Sequence, residues 1–141
     1  MLQVMLTPFR RYAEFAGRSG REEFWLFILF QYLVVLAYSA VCGVVMLLML
    51  LVDMSESDMT AALWLLLIPY GLYSLWLFIP SLAVAVRRLH DTDRSGWSIL
   101  IGLIPLVGTI FLLLWYASRG SAGPNRYGPA PVDGQAAQPF A

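Results

Sequence analysis

Three stretches of the chain, Phe24–Val52, Met59–Val86 and Trp97–Ser118, contain no Asp, Glu, Lys, Arg or His. An uncharged apolar run of about 18 residues or more can cross the roughly 30 Å hydrocarbon layer of a bilayer as a helix. A soluble domain has no place for three such runs. It carries about 25% charged residues, whereas this chain carries 13% and is 60% hydrophobic. The pattern predicts an all-α fold, a three-helix integral membrane bundle with an N-terminal amphipathic interfacial segment. Its expected parts are a cytoplasmic-face segment over 1–19, a three-span transmembrane domain over 20–118, and a Gly/Pro-rich flexible tail over 119–141.

Leu2, Met5, Leu6, Phe9, Tyr12, Ala13 and Ala16 recur at helical spacing among arginines, as in a helix lying on a membrane surface. Gly17 and Gly20 break it, and Ser19 with Glu22 has the spacing of a capping box for the next helix. The first apolar run continues through Val52. That exceeds the roughly 7–15 residues of a signal-peptide core and favours an uncleaved anchor. As one helix it would be roughly 44 Å long, so it must tilt or enter the interface. Phe24, Trp25 and Phe27 form an aromatic belt at its start. Ser39 and Gly43 make a small-xxx-small pair that would let another helix come close. Ser55 and Asp58 suit a cap for the second helix, which Pro69 and Pro80 should kink. Trp97–Ser118 reads as one span, with Pro105 and Gly108 near its middle.

Arginines fix the expected orientation. Arg10, Arg11, Arg18 and Arg21 precede the first run, Arg87, Arg88 and Arg94 lie between the second and third, and Asp53–Asp58 has no base. The positive-inside rule then places the N-terminus and the 87–97 segment in the cytoplasm. With three crossings, the tail falls on the other side. An even number would reverse that.

Phe15–Trp25, Arg87–Trp97 and Gly120–Pro129 together resemble a bacterial family known as domain of unknown function 805, small proteins of the inner membrane. The resemblance spans about Phe9 to Pro131, and the middle block is its most specific part. It implies a bacterial plasma-membrane location and supplies no activity.

Arg87–Trp97 is the hub of the chain, a charged loop holding its one histidine. Arg87 and Arg88 suit the negative end of the second helix, Arg87 and Asp91 have pairing spacing, and Asp93 or Ser95 can cap the third helix. On one cytoplasmic face, Arg18 and Arg21 are expected to meet Asp91 and Asp93, while Glu22 and Glu23 meet Arg87, Arg88 and Arg94. This ion-pair layer, with His90, is also the candidate lipid- or partner-binding site: Arg18, Arg21, Arg87, Arg88, His90, Asp91, Asp93 and Arg94. Anionic headgroups attract inner-leaflet arginines by roughly 1 kcal/mol each.

A metal or hydrolytic centre at His90, Asp91 and Asp93 lacks a second His or a nearby Cys, and further ligands would have to come from Glu14, Glu22 or Glu23. We therefore expect no metal, no cofactor and no catalytic residue. A net charge of zero argues against nucleic acid as a partner. Cys42 lies inside an apolar run as a small packing residue. The expected function is a non-catalytic interaction or envelope-support module. Its partners are the lipid bilayer with its anionic headgroups, a membrane protein, or further copies of itself. The alternative is a small oligomeric channel or transporter subunit, with Gln31, Tyr38, Ser39, Tyr73, Ser74 and Thr109 as candidate pore-lining residues.

Overall fold

The structure, a computed structural model, describes residues 2–131. The expected flexibility of the tail from 132 onward lies outside the described residues. Among the described residues four α-helices follow in order: α1 (Leu2–Arg10), α2 (Arg21–Leu51), α3 (Glu56–Asp91) and α4 (Val107–Ala117), with a 3-10 helix over Gly96–Leu103 before α4. The fold is all-α, with two helices long and apolar enough to cross a membrane and a shorter apolar one. It packs as two compact units, Leu29–Phe78 and the combination of Met1–Ile28 with Ile79–Ala141.

In Leu29–Phe78 the middle parts of α2 and α3 meet. Tyr38 stacks on Tyr70 with ring centroids 5.6 Å apart, and its hydroxyl donates to the Leu66 carbonyl. Ser39 donates back to the Val35 carbonyl of its own helix at 2.9 Å. Where α2 ends, Asp53 adopts φ +54°, Met54 N–H reaches the Met49 carbonyl and Asp53 N–H the Leu50 carbonyl. That is a Schellman ending with aspartate in the place glycine usually takes. Ser55 Oγ accepts from Asp58 N–H at 3.3 Å and caps α3 as expected. Helix α3 runs on without interruption through Pro69 and Pro80.

The other unit departs from expectation in five places. First, α1 stops at Arg10, short of Ala16, and the chain turns at Gly17 with φ +84°. Second, no capping box forms. Phe24 N–H bonds to the Gly20 carbonyl, and Ser19 Oγ is buried without a partner among the described residues. Third, Arg87–Asp91 is not loop but the last turn of α3. Its arginines suit the negative helix end, and Leu89 is fully buried. The helix closes in a second Schellman ending, with Asp93 at φ +56° and Arg94 N–H on the Leu89 carbonyl. Asp93 thus ends α3 and does not start the next helix. That cap is Ser95, whose side chain accepts from Trp97 N–H.

Fourth, Trp97–Ser118 is not one continuous span. Pro105 and Leu106 divide it. Leu106 has φ +63° and ψ −61°, and Val107 N–H bonds to the Pro105 carbonyl at 2.7 Å. This is a γ-turn of the rare, strained hand. The 3-10 helix folds back on α4: a Cβ on Gly102 would touch Leu112 at 2.9 Å, and one on Gly108 would collide with the Ile101 carbonyl. At about 2.0 Å per 3-10 residue and 1.5 Å per α residue, each arm reaches only about half of a hydrocarbon core.

The fifth departure follows from the fourth. The tail is not on the opposite side from the hub. Residues 118–128 pack directly on the end of α3, with Ser121 N–H on the Asp91 carbonyl at 2.8 Å.

Candidate functional site

The last turn of α3 presents carbonyls that the helix itself cannot satisfy. Neighbouring segments satisfy them. The His90 carbonyl accepts from Asn125 Nδ2 at 2.9 Å, and the Asp91 carbonyl accepts from both the N–H and the hydroxyl of Ser121. One turn earlier, Ser19 N–H reaches the Arg87 carbonyl at 3.1 Å. The tail is therefore the cap of α3.

Asp91 sits at the centre, 3% exposed. Its Oδ1 accepts from Arg18 Nε at 3.0 Å and from Arg18 Nη2 at 2.8 Å. Its Oδ2 accepts from Arg88. Arg18 turns its remaining N–H groups to the carbonyls of Ser121 at 2.7 Å, Gly123 at 2.6 Å and Gly128 at 3.4 Å. All five of its donors are thus on protein oxygens. Arg88 donates to the carbonyls of Tyr116 and Ser118, at the negative end of α4. Gly120 passes so close to Asp91 that a Cβ there would overlap the carboxylate.

Arg87, also fully buried, donates to Glu23 Oε1 at 3.2 Å, while its Nε and Nη1 have no partner among the described residues. Burial lowers its pKa from the ordinary arginine value and Glu23 opposes that. Three buried arginines face two carboxylates. The excess positive charge is offset by backbone carbonyls at the ends of α3 and α4.

His90 lies at the edge of this latch, beyond the apolar stretch Met59–Val86. Its ring is stacked on Tyr127 with centroids 3.8 Å apart and planes 3° from parallel. Its Nδ1 is 3.1 Å from the Gly17 carbonyl, which can only accept, so Nδ1 carries the hydrogen. Burial lowers the His90 pKa below 6.5, the Gly17 bond raises it, and Arg126 lowers it further. Asp93 pairs with Arg126 at 3.2 Å in an exposed position. Arg94 lies over the Trp115 ring at 4.3 Å.

The structure thus makes two of the expected pairs, Arg18 with Asp91 and Arg87 with Glu23, and Arg88, expected toward Glu22 and Glu23, holds Asp91 as well. It does not make the Arg87–Asp91 pair expected from spacing; Arg88 takes that carboxylate from three residues away. Asp93 and Arg94 find partners in Arg126 and Trp115, which sequence reasoning missed, along with Ser121, Asn125 and Tyr127. Ser121, Asn125, Arg126 and Tyr127 lie in the block Gly120–Pro129, which three crossings would carry to the other side of the membrane. Among the described residues, no three His, Cys, Asp or Glu side chains gather where a metal ion would sit.

Two long apolar helices and a buried polar latch closed by the tail define a small helical membrane protein with a specific architecture. The chain belongs to the family described as "Protein of unknown function (DUF805)", which it matches over residues 12–129. It is 36% identical over 135 residues to inner membrane protein YhaI of Escherichia coli (strain K12), covering 94% of this chain and 98% of that relative. It is also 36% identical over 126 residues to inner membrane protein YhaH of the same strain, covering 89% and 93%. No solved structure matches.

Proposed function

We propose that the chain is a non-catalytic interaction and envelope-support module of the bacterial inner membrane, whose charged end faces the cytoplasm and meets anionic lipid headgroups. The observation that carries this reading is the occupation of the chemistry-bearing side chains. Asp91 is held between Arg18 and Arg88, and His90 has one ring nitrogen on the Gly17 carbonyl and one ring face on Tyr127. A general base or metal ligand needs a lone pair facing a substrate. Here both oxygens of the Asp91 carboxylate are spent on fixing the latch, and the latch holds a charged surface at the end of two apolar helices. The relatives' names place YhaI and YhaH in the inner membrane, where anionic lipids attract arginine.

The test is extraction of the full chain in polymer discs that retain native lipid, with reconstituted protein assayed for ion flux. Discs enriched in anionic lipid over the bulk membrane, from protein that passes no ions, are the expected result. Discs of bulk composition, from a stable oligomer that conducts, would replace this reading with the channel subunit.

A further inference from the structure

A cavity of about 340 Å³ opens beside the latch, walled by Arg18, Arg21, Asp91, Arg119, Ser121 and Pro131, among others. Three guanidinium groups and one carboxylate line it. Their roles differ. Arg18 has every donor on a protein oxygen, and the Asp91 charge is compensated by Arg18 and Arg88. Those two groups build the wall and offer a ligand little. Arg21 and Arg119 are exposed, and they come to the same cavity from the start of α2 and from just beyond the end of α4.

Their depth also matters. Arg21 precedes the apolar run that begins at Phe24, and Arg119 follows Trp115 and Tyr116. Both positions are boundary positions, where apolar and aromatic side chains give way to charge. Lipid phosphates lie at that level. Arginine presents a planar fork that pairs two-on-two with phosphate oxygens.

We propose that Arg21 and Arg119 form a phosphate-binding site in this cavity, taking the phosphate ester of an anionic phospholipid headgroup. This rests on the reading that the charged end meets the anionic leaflet, and adds a defined site with named ligands. The same chemistry would also accept a soluble phosphate ester, so the experiment separates the two sources.

The full chain, in zwitterionic phosphatidylcholine discs, is titrated with phosphatidylglycerol, and bound lipid is counted by native mass spectrometry. Arg119→Gln and Arg21→Gln/Arg119→Gln are compared with Arg10→Gln, which removes one exposed charge outside the cavity. The double variant is expected to weaken phosphatidylglycerol binding by about tenfold or more, as the loss of two charge-assisted contacts implies. Arg119→Gln should weaken it clearly more than Arg10→Gln. Glycerol 3-phosphate added to wild type identifies the source: displacement of the lipid shows that the phosphate ester suffices, and no displacement shows that the membrane-anchored lipid is required.

Equal losses in Arg10→Gln and Arg119→Gln would mean diffuse attraction to the leaflet. That overturns the site while leaving anionic enrichment, and the proposed function, intact. No loss in any variant also overturns it. Should the double variant unfold, the matched single variants decide alone, because Arg119 is exposed and the swap there leaves the buried latch untouched.

Discussion

The two packing units hold helices together by different means. In Leu29–Phe78, large apolar side chains such as Leu65, 75% exposed, face outward, and the helices touch through the Tyr38–Tyr70 stack and one tyrosine hydroxyl. Lipid tails are as apolar as leucine, so nothing drives those surfaces out of contact with their surroundings. In the unit formed by Met1–Ile28 and Ile79–Ala141, Arg18, Arg87, Arg88 and Asp91 are buried and paired. The comparison teaches that where the hydrophobic effect is weak as a glue, specificity moves to polar groups. They have few alternative arrangements once buried.

The largest expected effect breaks that polar region. Asp91→Ala leaves Arg18 and Arg88 buried without their carboxylate. Removing one partner of a buried ion pair costs about 3–5 kcal/mol. Tyr38→Phe removes the interhelical hydroxyl bond of the other region, and such bonds average about 0.6 kcal/mol in membranes. Unfolding of both variants in detergent should rank them in that order by a wide margin. Comparable losses would mean that the latch does not hold its region together.

Glycines sharpen the same contrast. Gly108→Ala would drive a methyl group into the Ile101 carbonyl, and Gly120→Ala into an Asp91 carboxylate that two arginines pin in place. Overpacking of this kind costs about 1–3 kcal/mol. Gly43 and Gly71, in the other region, have nothing among the described residues within 4 Å of a Cβ. Alanine there should be neutral or stabilise the helix by up to about 1 kcal/mol. Differential scanning calorimetry of the four variants gives the signs. A destabilising Gly43→Ala would show that the small surface at Ser39 and Gly43 is covered by another helix.

A smaller effect follows from His90. Its folded pKa is lowered, chiefly by burial, so the unfolded chain binds the proton more tightly. The sign follows: stability rises with pH wherever the unfolded state holds more protons. The contribution is complete above 6.5, declines as pH falls below it, and levels off once the folded-state pKa is passed. Melting temperatures across pH 5 to 8 should show this slope, and His90→Gln should remove it. A slope that survives the substitution assigns the titration to another group.

Much of this architecture is legible in the residues. Uncharged runs locate α2 and α3 because charge is expensive in a bilayer, and opposite charges at Arg18, Glu23, Arg87, Arg88 and Asp91 locate the latch. The third run reads as a span in the sequence because composition records apolarity but not direction. The reversal depends on Leu106 taking a positive φ beside Pro105, and leucine carries no signal for that. The expected side of the tail, whose residues 118–128 pack on the end of α3, fails for the same reason, since it follows from the number of crossings. Asp91 chooses Arg88 and not Arg87 because the carbonyls of Tyr116 and Ser118 at the end of α4 hold Arg88 in reach. That choice depends on tertiary contacts that spacing along the chain does not report.

The smallest effect compares one backbone motif in both regions. Asp53 and Asp93 each end a helix at positive φ, a conformation glycine adopts without penalty. Asp53→Gly should therefore stabilise by up to about 1 kcal/mol. Asp93→Gly gains the same backbone relief but loses the exposed pair with Arg126, worth about 0–1 kcal/mol, so its net change should be close to zero. Urea titrations in one detergent would resolve the pair. If Asp93→Gly instead costs well over 1 kcal/mol, the Asp93–Arg126 contact is anchoring the tail, and the latch extends from its buried centre to the surface.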